Sequence, residues 1–479
     1  MGTKVNTVEA ARALVRPVGR LDPQARLEQL CDPGSVHVIR SAVQSRRMGA
    51  SARAGDGVVA ASGTIAGRPI FCFAQDPSFA AGSLGEAHAE TIVRVLSLAG
   101  RAQVPVIGLI ESAGARMQEA TTALNGYARI FRQTVALAGR VPQISIVSGI
   151  SAGGGSYAPA LTDFVVMTET ANMFLTGPGV VRSAMGEQVS MKDLGGVEVH
   201  SRNGVCQFVV DDEAEAALLA RELLSYLPQH AGERAPRLPS RMPLTPDPGS
   251  FVPHETRQIY DVRDVARSIF DGGELLEVSP CWARNLVTAF ARLDGRAVGL
   301  VANQPRYKGG TIDLEASQKG ASFVRSCDAF GLPLIVLVDT PGFLPGSAQE
   351  QGGIIRHGAG LLRAFAAASV PRLTVILRQA FGGAYITMNA RDLGADLAFA
   401  WPHARIGIMS ALQAVSIVEQ RDIAGAVDPQ ARREELAERY AAEHQSAHAV
   451  AREGFIDEVI EPAETRERLC AALQLLTGP

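Results

Sequence analysis

A run of small residues occurs twice in the chain: Ala152-Gly153-Gly154-Gly155-Ser156-Tyr157, and later Phe381-Gly382-Gly383-Ala384-Tyr385. Each follows an apolar, β-branched run, Gln143 to Val147 and Leu373 to Leu377, of the kind that forms a buried parallel strand. Each opens a segment suited to a helix start. Glycine lets the backbone turn sharply there and leaves adjacent N–H groups pointing outward, where the helix dipole also favours negative charge. Such donors can hold an anion or a developing oxyanion. Two copies predict two holes. The plainer alternative is a pair of tight strand–helix turns with no chemistry.

A competing motif overlaps the first copy. Gly149-Ile150-Ser151-Ala152-Gly153 matches the G-x-S-x-G nucleophile elbow and follows a strand, with His200 and His230 downstream. The second copy has Ala380 where the first has Ser151, so the repeated device is the glycine pair and not the serine. No H-E-x-x-H, P-loop or G-x-G-x-x-G with a ribose-binding acid is present. Asp339, Glu350, Glu86 and Glu119 are candidate acid/base groups, but isolated carboxylates of this kind are most simply caps or solvated. Electrostatic stabilisation by main-chain donors remains, and it suits chemistry α to a thioester carbonyl, where charge on oxygen is the difficulty.

The elements that must carry these steps repeat as well. Gly63 to Phe73 alternates like a hairpin whose second strand is buried. Ile92, Val95, Leu96 and Ala99 stand at helical spacing within Gly85 to Gln103, and Val104 to Ile110 reads as a buried strand. Strand 142–148, the glycine step and the strand Asp163 to Thr168 come next. Gly67/Gly295 and Pro105/Pro333 recur at an offset of 228, and Pro142/Pro371 and Gly154/Gly383 at 229. Gly204 to Val210 matches Gly454 to Ile460. So steady an offset indicates an internal duplication of a β-α-β unit with parallel strands. Residues 1 to about 55 read as a helical lead-in with a turn at Asp32-Pro33-Gly34. Proline-rich Leu227 to Pro253 reads as a surface linker, and Val418 to Gln445 as a solvated helical face.

With 479 residues the chain is long enough for several domains, and its net charge of −3 gives no reason to expect nucleic acid or an anionic membrane as partner. No stretch reaches the ~20 apolar residues of a membrane helix, and Met1 to Arg20 holds no signal-peptide core. Six scattered cysteines without C-x-x-C spacing read as reduced core residues of a cytoplasmic protein, with no metal site.

Longer motifs cover nearly the whole chain. "GDGVVAASGTIAGRP" (Gly55 to Pro69), "ESAGARMQE" (Glu111 to Glu119), "AGGGSYAPALTDF" (Ala152 to Phe164), "EASQKGASFVRSCDAFGLPL" (Glu315 to Leu334), "VDTPGFLPG" (Val338 to Gly346) and "FGGAYITMNARDLGADLAFAWP" (Phe381 to Pro402) are among them. In these the chain resembles the carboxyltransferase β subunit of biotin-dependent acyl-CoA carboxylases of the acetyl-/propionyl-CoA type. The resemblance implies an α/β fold of two crotonase-like domains, 1–230 and 250–479. It implies an acyl-CoA thioester in the first half, its enolate held by the N–H groups of Gly153 and Gly154. Gly114, Ala115, Arg116, Tyr157 and Tyr385 would lie along that substrate. Carboxybiotin would enter the second half, its ureido oxygen on Gly383 and Ala384, with Gly382 beside it. In this family carboxybiotin loses CO2 and the resulting biotin enolate takes the acyl α-proton, so no side-chain base is required.

Family members form a ring of dimers, here a hexamer, whose sites join the first domain of one protomer to the second of another. Ile386 matches the position linked to acyl-chain choice. An apolar side chain sorts by shape alone, which is worth ~1–3 kcal/mol per methylene, so acetyl and propionyl use should overlap. The chain has no Met-Lys-Met biotinylation tripeptide, Met191-Lys192-Asp193 being the nearest. Biotin would therefore arrive on a carrier from a biotin carboxylase/carrier partner. The chain departs from the family at Gln379 (usually Lys), at His357 and Gly360 (usually basic), and at Ser410 and Gln413 (usually Gly). These lie on the biotin side and leave two rivals, an acyl-CoA decarboxylase on the same fold and a non-catalytic paralogous subunit.

Overall fold

Two antiparallel hairpins begin the two sheets. The first joins β2 (Val58–Ile65) to β3 (Arg68–Gln75), after the short β1 (His37–Ile39). Its turn residues Ala66 and Gly67 both have positive φ, 52° and 75°, the conformation a two-residue hairpin turn demands. Asp32 secures it, accepting the N–H groups of Ala66 and Gly67 at 3.0 and 2.9 Å. The computed structural model describes residues 22–478 except 246, 256 and 257; the earlier part of the expected lead-in lies outside the described residues.

From the hairpin the chain alternates helix and parallel strand: β4 (Val106–Ser112), β5 (Gln143–Ala152), β6 (Phe164–Thr168), β7 (Asn172–Phe174) and β8 (Phe208–Val210). The sheet order is β1-β2-β3-β4-β5-β6-β8, with β7 paired to β5. The second half repeats every step: β9 (Leu275–Glu277), β10 (Leu286–Leu293), β11 (Arg296–Asn303), β12 (Leu334–Thr340), β13 (Arg372–Phe381), β14 (Leu397–Ala400), β15 (Arg405–Gly407) and β16 (Glu458–Val459). Its order is β9-β10-β11-β12-β13-β14-β16, with β15 paired to β13. The duplication extends to small packing details. Gly82 and Gly310, both at positive φ, press their Cα against the carbonyl oxygens of Glu111 and Asp339, leaving no room for a side chain.

The chain divides into two units between Glu233 and Arg234. Part of the proline-rich stretch is therefore no free linker. Leu238 donates to Gly295 O at 2.9 Å, and Arg292 donates to Pro236 O at 2.9 Å, which lays the segment along the β10–β11 hairpin. The helix Glu86–Ala102 buries Ile92, Val95, Leu96 and Ala99 as its spacing requires. The charged tail forms Pro429–Tyr440, anchored by Leu436 and Ala437 on Val415, so one of its faces is packed. Cys31, Cys72, Cys206 and Cys327 are buried thiols, whereas Cys281 is exposed. Among the described residues no helix is long and apolar enough to cross a membrane.

Lys319, on the helix Leu314–Ala329, is buried and donates to Trp282 O and Leu286 O at 3.0 and 2.8 Å. Burial pulls its ammonium down to about 7. The unfolded chain holds that proton up to lysine's ordinary value, so folding gains stability as pH rises above about 7. The melting temperature is expected to climb between about pH 7 and about pH 9, and to climb less in Lys319→Met. Parallel profiles for the two proteins would contradict this.

Candidate functional site

β5 and β13 run straight into the glycine steps. Gly153 has φ 57° and Gly382 φ 61°, a region open to glycine at little cost. A Cβ on Gly382 would also crowd Ile408 O at 3.2 Å. The helices after these steps, Gly154–Ala160 and Gly382–Thr387, have only seven and six residues. A long-range dipole therefore contributes little, and the local N–H groups, which a first helical turn leaves without an intrahelical partner, are what such a step offers.

The structure corrects the first pair. The Gly153 N–H donates to Phe174 O at 3.0 Å, part of the β5–β7 pairing, and is not available. The amides at the start of that helix are those of Gly154 and Gly155, which stand at the 229 offset from Gly383 and Ala384. The aligned pairs match in burial at their second member only. Gly155 and Ala384 are buried, while Gly154 is half-buried and Gly383 exposed. The walls differ. A Cβ on Gly154 would meet the Tyr127 ring at 2.7 Å; one on Gly383 would find Phe343 at 3.6 Å. Behind the first pair lie hydroxyls, with Ser112 Oγ 3.4 Å from Tyr127 Oη and burial pushing the phenol up to about 12.

Tyr157 and Tyr385 are not equivalent. Tyr157 pairs by offset with Ile386, and both are exposed, 52% and 47%. Tyr385 instead donates to Phe455 O at 3.3 Å. Gly114 and Ala115 lie on the loop after β4. Gly114 O accepts from Leu84 N–H at 2.8 Å, Gly114 N–H donates to Ser112 Oγ at 3.2 Å, and Ala115 is half-buried.

Arg116 is not available to a ligand. Its guanidinium is buried, 2.6 Å from Asp56 Oδ1 and 2.9 Å from Glu119 Oε1. It also donates to Asp56 O and Ser83 O at 3.2 and 2.9 Å, beneath the Phe79 ring. Glu119 accepts the Glu86 N–H at 2.7 Å. Both partners of Arg116 are thus structural groups that close the loops on this side of the sheet.

Ser151 is buried, and neither candidate histidine turns to it. His200 Nε2 lies 2.7 Å from Met173 O, and His230 accepts from Gly232 N–H at 3.0 Å. A serine-nucleophile reading finds no base. Glu350 is exposed, but Asp339 is not the solvated loop carboxylate expected, being 1% exposed and paired with Arg378.

A cavity of about 830 Å³ opens at the second glycine step, lined by Gly382, Gly383, Tyr385 and Ile386. Tyr440, His444 and Phe455 also line it. Sequence reasoning misses these three, because they come from the tail and nothing local marks them. None of the departing positions, Gln379, His357, Gly360, Ser410 and Gln413, lines this cavity. His357 meets Gln318, Ser410 donates to Gln413 at 3.0 Å, and Gly360 has open space around it.

Comparison with known proteins places this architecture. The family described as "Carboxyl transferase domain" matches residues 14–478. The propionyl-CoA carboxylase carboxyltransferase subunit of Haloferax mediterranei is 47% identical over 429 residues, 88% of this chain and 83% of that protein. The methylmalonyl-CoA decarboxylase subunit alpha of Propionigenium modestum is 40% identical over 469 residues, 96% of this chain and 91% of its own. A transcarboxylase 12S crystal structure, described as a hexamer with methylmalonyl-coenzyme A and methylmalonic acid bound, superposes with a TM-score of 0.93 at 43% identity. That match covers 98% of this chain and 91% of the other.

Proposed function

The chain belongs to the carboxyl transferase domain family, and from that premise we infer a carboxyltransferase that moves CO2 between a biotin carrier and the α-carbon of a short acyl-CoA. The observation that carries this is the pair of matching glycine steps, each ending a buried strand and each presenting two amides where a new helix begins.

In unit one, Gly154 and Gly155 hold the thioester oxygen as the α-carbon gives up its proton, and the Gly114–Ala115 backbone borders the substrate. Tyr157, exposed beside the step, flanks it. Arg116 keeps these loops in place from behind. In unit two, the amides of Gly383 and Ala384 face the ureido oxygen of biotin, and the adjoining cavity has room for its rings. Carboxybiotin, delivered by a biotin carboxylase/carrier partner, supplies the CO2 and the base. No side chain of this chain needs to titrate for the transfer. A cytoplasmic location fits the buried free thiols. The hexamer of the transcarboxylase 12S relative supports a ring of dimers for this chain.

A second reading, decarboxylation of a carboxyacyl-CoA, uses the same amides in the opposite direction, and the decarboxylase relative favours it. Assaying the purified chain with a carboxylated carrier and acetyl-, propionyl- and butyryl-CoA, beside malonyl- and methylmalonyl-CoA with unloaded carrier, separates the two. Net carboxylation of acetyl- or propionyl-CoA is expected. Turnover only of the carboxyacyl-CoAs favours the second reading, and no turnover favours a non-catalytic subunit.

Ile386 reaches the acyl end through assembly of copies. Ile386→Ala should raise kcat/KM for butyryl-CoA relative to propionyl-CoA by roughly tenfold, as one methylene is worth ~1–3 kcal/mol. An unchanged ratio would remove Ile386 from the specificity pocket.

A further inference from the structure

The strands that deliver the two glycine steps are bent by one device. From Ile110 to Ser112, β4 advances two residues while its partner β5 advances four, Val147 to Ser151. From Val338 to Thr340, β12 advances two while β13 advances four, Ile376 to Ala380. Each bulge lies just before its glycine step, and an acidic residue of the neighbouring strand sits opposite it: Glu111 in one unit and Asp339 in the other. Bulges of this kind bend a strand and re-aim the residues beyond the bend. In unit one the bulge residue opposite the acid is Gly149, whose Cα lies against the Glu111 carboxyl with no space for a side chain. In unit two the same place holds Arg378.

Arg378 Nε donates to Asp339 Oδ2 at 3.0 Å, and the Tyr260 hydroxyl donates to the same oxygen at 2.8 Å. The other arm of Arg378 reaches Glu255 O and Gln258 O at 3.0 and 2.8 Å. Both charged side chains are almost wholly buried. A buried ion pair is an inefficient way to stabilise a fold, since desolvation consumes most of the attraction. It does fix geometry.

We propose that Asp339 and Arg378 are positioning residues, holding the β13 bulge at the curvature that aims the Gly383 and Ala384 amides. This rests on the reading of those amides as the biotin-side donors. Burial raises Asp339 to about 6. The charged and titratable groups around it are Arg378 on β13 and Tyr260 ahead of the helix Val262–Arg267. Beyond Arg378 lie His403, edge-on to His254 at 5.1 Å, and Arg405. Below about pH 6 Asp339 takes a proton and Arg378 loses its counter-charge. A raised carboxyl value means that this protonation favours the folded chain, so the bulge relaxes without global loss of stability from this group.

The test is amide hydrogen exchange of the full chain over 376–388, corrected for intrinsic rates, at about pH 5 and about pH 7.5, with 147–160 as internal reference. The wild-type segment is expected to exchange at least tenfold faster at the lower pH. Asp339→Asn should exchange fast at both values without the step. Arg378→Lys, which keeps the charge but loses the fork, should fall between, and it carries the test if Asp339→Asn does not fold. Wild-type protection in either variant, or no pH step in the wild type, overturns the proposal. The readout needs neither carrier nor acyl-CoA. The expected exchange together with unchanged transfer kinetics in the variants would therefore sink the biotin-side reading of the amides and leave the positioning role standing.

Discussion

Gly154→Ala is expected to lower kcat for carboxyl transfer by ~10²–10³-fold, the usual cost of losing one oxyanion donor. The new Cβ would stand 2.7 Å from two carbons of the Tyr127 ring. That ring is buried at 4% exposure and leans on Phe131 at 5.8 Å between centroids, so it cannot swing aside. The backbone must move instead, and with it the amide. Binding of the biotin carrier should be unchanged, because the proposed donors for biotin, Gly383 and Ala384, belong to unit two. Gly154→Ala combined with Tyr127→Leu should recover part of the loss by making room. Gly360→Ala is the control: it meets open space inside the helix Ile354–Ala367 and should leave activity unchanged, with stability equal or higher by up to ~1 kcal/mol. Full activity in Gly154→Ala would remove this amide from the mechanism.

The second large effect concerns stability. Arg116→Met should destabilise unit one by about 3–5 kcal/mol, the cost of stripping the partner from a buried charge. Asp56 is 0% exposed and Glu119 2%, and both would be left facing a methionine. Chemical denaturation followed by circular dichroism reads this directly. The resemblance placed Arg116 along the substrate; a variant that keeps its stability but loses acyl-CoA affinity would restore that role.

Much of the fold was legible because buried parallel strands write themselves as continuous apolar runs, and because duplication lets each half check the other. The helix Glu86–Ala102 and the strands β4 and β6 stand within two residues of where pattern placed them, whereas the first hairpin begins at Val58, five residues ahead of the expected Gly63. Of the expected first pair the Gly153 N–H is taken up by Phe174 O, and the 229 offset sets Gly154 against Gly383 and Gly155 against Ala384. What the sequence could not disclose is that β7 captures the Gly153 N–H, a contact made 21 residues downstream at Phe174.

Burial of charge was equally silent. Arg116 meets Asp56 across 60 positions, and Arg378 meets Asp339 across 39. No local periodicity reports such distant pairing, so neither Arg116, placed along the substrate by resemblance alone, nor Asp339, read as a loop acid, showed its burial in the pattern. The contribution of Tyr440, His444 and Phe455 to the cavity lining was hidden for the same reason.

Hydrogen exchange with each substrate added alone tests the central claim most directly, since the amides themselves are what is measured. Propionyl-CoA is predicted to slow exchange more strongly across 152–160 than across 381–388, while the biotinylated carrier slows 381–388 the more strongly. Protection by propionyl-CoA at neither step, or at the second step alone, would contradict the account.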